Sequence, residues 1–455
     1  MSLVSINPAT GRLLKRYRAH TSAQIETALA AVHRGHLGWR ELSLADRARH
    51  LTALGATLRQ QQESLARLIT AEMGKTLATS RLEIEKCAAC CDFYAQHAAR
   101  FLKSERPFGA PKNATVVFEP LGVVLAVMPW NYPFWQLFRA AAPALMVGNT
   151  LLLKHASNVS GCALAIERLF TAANLPAGLL RTLLFSPKAI PALIADPRVS
   201  AVTLTGSTAA GRKVAALAGA ALKPCVLELG GSDPYIVLAD ADLDHAAEIC
   251  AQARLVNAGQ SCIGAKRFIV VESVLAAFTE KFVARMTARH TGDPITNDID
   301  FGPLARADLR TELHAQVLKS VKKGARLLLG GTLPAGEGFY YPATVLSHVR
   351  PGMPAHDEEL FGPVAAIITA ADEAEAIAIA NNTSFGLGAA IFTRNHKHGR
   401  TIATEQLEAG MVFVNDFVRS DITLPFGGIK QSGYGRELSA FGIREFVNIK
   451  TVWVK

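Results

Sequence analysis

Val199-Ser-Ala-Val-Thr-Leu204-Thr-Gly206-Ser207-Thr-Ala-Ala-Gly211-Arg212-Lys213 runs from a short apolar stretch through a glycine turn into residues of helical spacing. A strand that ends in such a turn and hands the chain to a helix is half of a βαβ unit. The turn also leaves free backbone N–H groups at a helix N-terminus, a natural phosphate site. It nearly matches a P-loop, but Arg212 stands where the Lys belongs and no Ser or Thr follows Lys213. The magnesium ligand is missing, which excludes a nucleotide triphosphatase of that kind.

The same texture extends on both sides. Short apolar runs at residues 123–128, 150–154, 226–229, 235–238 and 268–271 alternate with helical segments such as 159–173 and 208–222. Such alternation predicts an α/β fold around a parallel sheet. Before it, residues 22–101 carry apolar positions three and four apart and read as helices. After it, a second α/β series spans residues 234–417, with a helix at 273–288 capped by Ser273, a helix at 307–324 and strands at 325–329, 364–369 and 388–393. The tail, 445–454, reads as a lone strand with no partner of its own, and such tails pair with another subunit or domain.

With 455 residues, half of them apolar, the chain is long enough for two or three folded domains. No apolar run reaches the length of a membrane span, and the N-terminus lacks the basic head and apolar core of a secretory signal; the expected compartment is the cytoplasm. The 48 basic and 38 acidic residues give a net charge of +10, yet the cations are scattered, and Lys319, Lys322 and Lys323 fit a solvated helix face. No nucleic-acid partner is expected. Seven cysteines do not form a disulfide framework. Cys87, Cys90 and Cys91 fall within one helix without facing partners, so no metal site is expected there.

Four motifs carry possible chemistry. Gly259-Gln-Ser-Cys262 places a thiol on a turn after a helix, as either a nucleophile or a structural cysteine. Glu228, at the end of an apolar strand and followed by Gly230 and Gly231, is a buried general base or a capping carboxylate. Asn131, between Pro129 and Pro133, is a rigid amide suited to an oxyanion, or a turn residue. The turn at Gly206 and Ser207 is the phosphate candidate, although no G-x-G-x-x-G fingerprint follows an early strand.

Together these pieces resemble the aldehyde dehydrogenase superfamily. In order they are Pro129-Trp130-Asn131, Lys154, Gly206-Ser207 with Gly211, Glu228-Leu229-Gly-Gly, Gly259-Gln-Ser-Cys262, Glu359-Leu-Phe361-Gly-Pro, and Pro425-Phe-Gly-Gly with Ser432-Gly. The resemblance implies a Rossmann-type cofactor domain at 1–101 and 120–233. It also implies an α/β catalytic domain at 234–425 and a small β oligomerisation element at 102–119 and 437–455, in a homodimer or homotetramer. It implies that Cys262 attacks an aldehyde, that Asn131 and the Cys262 backbone N–H hold the oxyanion, and that Glu228 activates water to hydrolyse the thioester. It assigns Trp130, Lys154, Ser157, Gly206, Ser207, Gly211, Leu229, Glu359 and Phe361 to the cofactor. Ser157 stands where NAD-preferring members often carry a Glu that would repel a 2′-phosphate, so NADP is expected alongside NAD.

Within the family the chain is most similar to members that oxidise succinate semialdehyde. Arg139 falls where these place an Arg for the distal carboxylate, and Ser420 would add a hydrogen bond. A second Arg common in that group is replaced by Val256, and Arg254 is the candidate substitute. The alternatives are another semialdehyde such as glutarate semialdehyde, another small aldehyde, or a non-catalytic homologue.

Overall fold

The computed structural model describes residues 2–455. Its strands are β1 (Ser2–Ile6), β2 (Leu13–Arg18), β3 (Ala114–Pro120), β4 (Val123–Met128), β5 (Thr150–His155), β6 (Leu180–Thr182), β7 (Val199–Thr205), β8 (Cys225–Glu228) and β9 (Pro234–Val237). There follow β10 (Arg267–Val271), β11 (Arg326–Leu329), β12 (Thr344–Ser347), β13 (Val364–Ala370), β14 (Gly388–Phe392), β15 (Met411–Val414), β16 (Gly433–Tyr434) and β17 (Val447–Trp453). They form a six-stranded sheet in the order β16-β8-β7-β4-β5-β6 and a seven-stranded sheet in the order β11-β12-β13-β10-β9-β14-β15. In the first, β4 to β8 are mutually parallel and only β16 is antiparallel. Helices cover both faces, so strands such as β5 and β10 are buried along their whole length, which is why they read as unbroken apolar runs.

The first sheet levels the site. Strand register pairs Met128 with His155 and Thr205 with Glu228. The residues that leave the carboxyl ends of β4, β5, β7 and β8 therefore emerge along one rim, where ligands bind in open parallel sheets. The helical expectation for 22–101 resolves into Ser22–Trp39, Leu44–Gln60, Gln62–Met73 and Leu77–Phe101. Cys87, Cys90 and Cys91 are all buried in the last of these.

Two expectations need correction. Ser273 caps nothing: the helix begins at Glu272 with Val271 at its N-cap and no side-chain cap bond. The tail is not partnerless either. β17 pairs antiparallel with β3 over seven residues, Val447 opposite Pro120 through Trp453 opposite Ala114. The pairing joins segments more than 300 residues apart, and β3 has only weak alternation of its own, so no local signal announced it. The hairpin β1–β2 and the strands β6, β12 and β15 were also not anticipated. No helix among the described residues is long and apolar enough to cross a membrane.

Candidate active site

The nucleophile candidate sits on a tightly constrained turn. After the helix Leu243–Leu255, Asn257, Ala258 and Gly259 all adopt positive φ, at 53°, 55° and 72°. A side chain at Gly259 would collide with the Gly362 carbonyl, so close approach and backbone hand both demand glycine there. Lys266, fully buried, donates to the carbonyl oxygens of Ser261 (3.0 Å), Cys262 (2.7 Å) and Gly264 (3.0 Å) and pins the loop from inside. The Arg254 guanidinium donates to the Gly259 carbonyl at 2.7 Å.

Asn131 is held by hydrogen bonds to the cysteine loop. Its Nδ2 donates to the Gln260 carbonyl at 3.1 Å, which ties the amide to the cysteine loop. Asn257 donates to the Asn131 carbonyl at 3.0 Å. Two further residues, not singled out from sequence, fix this strand-end turn. His155 donates through Nε2 to the Pro133 carbonyl at 2.7 Å while its Nδ1 accepts from the Ala156 N–H; burial lowers its pKa to about 4, so the ring is neutral, as that pairing requires. Glu83 accepts from the N–H groups of Phe134 (2.8 Å) and Trp135 (3.0 Å) and is itself paired with buried Lys75 at 2.5 Å. A carboxylate at that helix N-terminus satisfies two orphan donors.

Cys262 borders two cavities. One, of about 240 Å³, is walled by Tyr132, Trp135, Val256, Phe417 and Phe426. The other, of about 680 Å³, is a groove lined by Trp130, Asn131, Gly206, Ser207, Leu229, Glu359 and Phe361. Trp130 and Phe361 meet edge to face at 5.7 Å. Glu359 accepts from the Gly231 N–H at 3.0 Å and lies 3.7 Å from the Lys266 ammonium. Ser207 caps the helix Thr208–Ala220, whose N-terminal residues Thr208 and Ala209 line the groove. This helix end, beside an apolar clamp and a carboxylate, fits a dinucleotide: N–H groups for the pyrophosphate, a flat apolar slot for a ring and an acceptor for ribose hydroxyls.

Three cofactor candidates lie outside the groove lining. Gly211 serves packing, since a Cβ there would strike the Leu229 side chain. Lys154 is the penultimate residue of β5, opposite Val127 and nearly buried, and Ser157 is exposed at the start of the following 3₁₀ turn, Ser157–Val159.

The carboxylate Glu228 is enclosed, with one oxygen unpartnered, and lines neither cavity. Burial drives its pKa well above the ordinary carboxylate range, neighbouring Glu437 adds to the rise, and Arg139 opposes it. Glu437 escaped the sequence reading because it sits more than 200 residues from Glu228, yet β16, pairing Gly433 with Glu228, brings it back. Burial also pushes the Cys262 thiol up to about 12, against the pull of Arg139 and Lys266.

The substrate-side expectations fare unevenly. Ser420 borders the smaller cavity. Arg139 does too, but its guanidinium is ion-paired with Glu437, stacked 4.3 Å from the Phe426 ring and only 2% exposed. Burial raises the pKa of Glu437 while Arg139 opposes the rise, so the two side chains share one buried pocket at the cavity wall. Arg254 is absent from the cavity altogether and Val256 takes its wall. The helix ends at Leu255, so Val256 leaves it with extended backbone while Arg254, in the last helical turn, reaches the Gly259 carbonyl instead.

Comparison with known proteins agrees with this geometry. The model of the aldehyde dehydrogenase family matches residues 2–452. The chain belongs to the aldehyde dehydrogenase family. It is 49% identical to the succinate semialdehyde dehydrogenase (NAD(P)+) Sad of Escherichia coli (strain K12), over 99% of this chain and 97% of that one. It is 47% identical to succinate-semialdehyde dehydrogenase (NADP(+)) 1 of Mycobacterium tuberculosis (strain ATCC 25618 / H37Rv), over the full length of both. Among solved structures, a succinic semialdehyde dehydrogenase from Streptococcus pyogenes in complex with NADP+ superposes with a TM-score of 0.96, at 35% identity over 99% of both chains. A structure of Gox0499 superposes with a TM-score of 0.98, at 39% identity over the full length of both.

Proposed function

We propose that this aldehyde dehydrogenase oxidises succinate semialdehyde to succinate, with NADP+ or NAD+ as acceptor. The observation that carries the chemistry is the position of Cys262 where the two cavities meet, with Asn131 beside it. An aldehyde entering the smaller cavity reaches the sulfur from one side and a dinucleotide in the groove reaches it from the other. Curated relatives sharing nearly half their residues over the whole length carry the substrate.

In this reading the Cys262 thiol gives up its proton and its sulfur adds to the aldehyde carbon. The Asn131 amide and the Cys262 backbone N–H hold the resulting oxyanion. The cofactor, when bound, accepts the hydride that leaves that carbon. Glu228 then takes a proton from water as the water attacks the thioester, and the carboxylic acid departs as the thiol re-forms. Burial favours the neutral form of Glu228 and the side chain borders neither cavity, so it must act as the carboxylate and rotate toward the sulfur. Arg139 and Glu437, the charges closest in effect to it, tune that step.

We assign the six-stranded unit to the cofactor, with Trp130, Gly206, Ser207, Leu229, Glu359 and Phe361 as groove contacts. Lys154 and Ser157 lie further along the same sheet rim for the adenosine ribose, and Gly211 supports the groove through its packing on Leu229. Ser157 offers no carboxylate against a 2′-phosphate, which admits NADP+. The ribbon β3–β17 carries exposed Ile449, Val452 and Trp453, and we assign it to contact between copies in a homodimer or homotetramer. All seven cysteines are free, which suits the cytoplasm.

The test is steady-state turnover of succinate semialdehyde, glutarate semialdehyde and hexanal with each cofactor. The highest kcat/KM is expected for succinate semialdehyde, with NADP+ turned over at least as well as NAD+. A preference for hexanal, or NADP+ barely used, contradicts the reading.

A further inference from the structure

We propose that Lys266 is a positioning residue for the oxyanion site, aiming and polarising the Cys262 backbone N–H through the Ser261 carbonyl. The inference deepens the mechanism proposed above and rests on its assignment of that N–H to the oxyanion. The Ser261 carbonyl and the Cys262 N–H belong to one peptide, and no peptide among the described residues is cis. In a trans peptide these two groups point in opposite directions across a rigid plane. A cation held at the oxygen therefore fixes the direction of the N–H and turns it away from itself.

The Lys266 ammonium donates to the carbonyls of Ser261 at 3.0 Å, Cys262 at 2.7 Å and Gly264 at 3.0 Å. All three of its N–H donors are thereby committed to the loop, and both peptide planes flanking Cys262 are anchored. The Gly264 N–H gives the Ser261 oxygen a second bond at 3.1 Å. One peptide earlier, the Gln260 carbonyl accepts from Asn131 and Asn257, each at 3.1 Å. Every carbonyl from 260 to 262 is thus occupied, whereas among the described residues nothing accepts from the Cys262 N–H. That donor is left for a ligand, at a residue that borders both cavities.

The lysine acts from a firm base. Just before β10, its own N–H donates to the Asp233 carbonyl at 3.2 Å, and its carbonyl accepts from the Ala366 N–H at 3.0 Å. The side chain is only 1% exposed, and Glu359 stands 3.7 Å from the ammonium. Burial works against the charge, while Glu359 and then Asp233 support it. A dry ammonium polarises a carbonyl more than water would, and a polarised amide is a stronger donor. A neutral side chain at 266 could fill the space without doing this.

The experiment compares two reactions of one sulfur in wild type, Lys266→Met, Lys266→Gln, Lys266→Arg and Asn131→Ala. One is the second-order rate constant of the burst of reduced cofactor at saturating NADP+. Its aldehyde is succinate semialdehyde or hexanal, whichever wild type turns over faster. The other is alkylation of Cys262 by iodoacetamide at the same pH, followed on the Cys262 peptide. Both need the thiolate, but only the burst passes through an oxyanion, so their ratio cancels any change in thiol acidity. Lys266→Met is expected to lower the ratio about 30-fold, close to the effect of Asn131→Ala, and Lys266→Gln by a smaller factor. Lys266→Arg, which keeps the charge and the donors, should recover most of it. A ratio that falls in Asn131→Ala but holds in Lys266→Met and Lys266→Gln reduces Lys266 to a pin for the loop and overturns the inference. So does a Lys266→Arg protein of wild-type melting temperature that loses as much as Lys266→Met. A ratio unmoved in Asn131→Ala overturns the oxyanion assignment, and this inference with it.

Discussion

At the scale of single residues, burial raises the pKa values of both the nucleophile and the base. Cys262 is held as a thiol by burial, with its pKa near 12. Only the thiolate reacts, so its fraction rises about tenfold per pH unit below that value. The alkylation rate of Cys262 by iodoacetamide in the cofactor-free protein should climb with unit logarithmic slope from pH 7 to 10; a plateau near pH 8 would show the thiol to be far more acidic. Glu228 is raised in the same sense. Glu228→Gln preserves the shape of that side chain but removes the base. A single-turnover burst of reduced cofactor should survive while steady turnover drops by about 10²–10⁴-fold. Loss of the burst together with turnover would place Glu228 in acylation instead. These residues were visible in the sequence as types at strand ends and turns. Their partners were not: Glu437, His155 and Glu83 act through contacts that no short window contains.

Elements explain why those residues converge. Each of β4, β5, β7 and β8 ends at the same rim because parallel register aligns their carboxyl ends, and glycine turns let the chain leave the sheet close to its neighbours. The loop before Cys262 shows this most sharply. Gly259, at φ 72° and against the Gly362 carbonyl, has room for no side chain. Gly259→Ala should cost at least about 1–2 kcal/mol from the backbone alone, lower the melting temperature, and reduce kcat more than KM for the cofactor as the sulfur shifts. A variant of unchanged melting temperature and kcat would mean the loop is slack. Strand positions were legible because fully buried parallel strands appear as unbroken apolar runs. Short or half-exposed strands such as β6, β12 and β15 lack that signature.

For the whole molecule, the remaining prediction concerns the ribbon of β3 and β17. Its exposed Ile449 and Trp453 share one face of β17 and Val452 the other, leaving apolar surface of the kind expected at an interface. Trp453→Glu should shift sedimentation toward a smaller species, and an unchanged coefficient would remove this ribbon from the assembly. From the sequence alone came the alternation of strand and helix, and the identity of the sulfur, carboxylate and amide. Local propensity and side-chain chemistry are properties of neighbouring residues, so a linear reading contains them. Tertiary structure alone decided what each charge has already met. It set Arg139 against Glu437, turned Arg254 to a loop carbonyl and closed β17 onto β3. Which groups a charge meets depends on contacts across hundreds of residues, and only the packed chain brings those together.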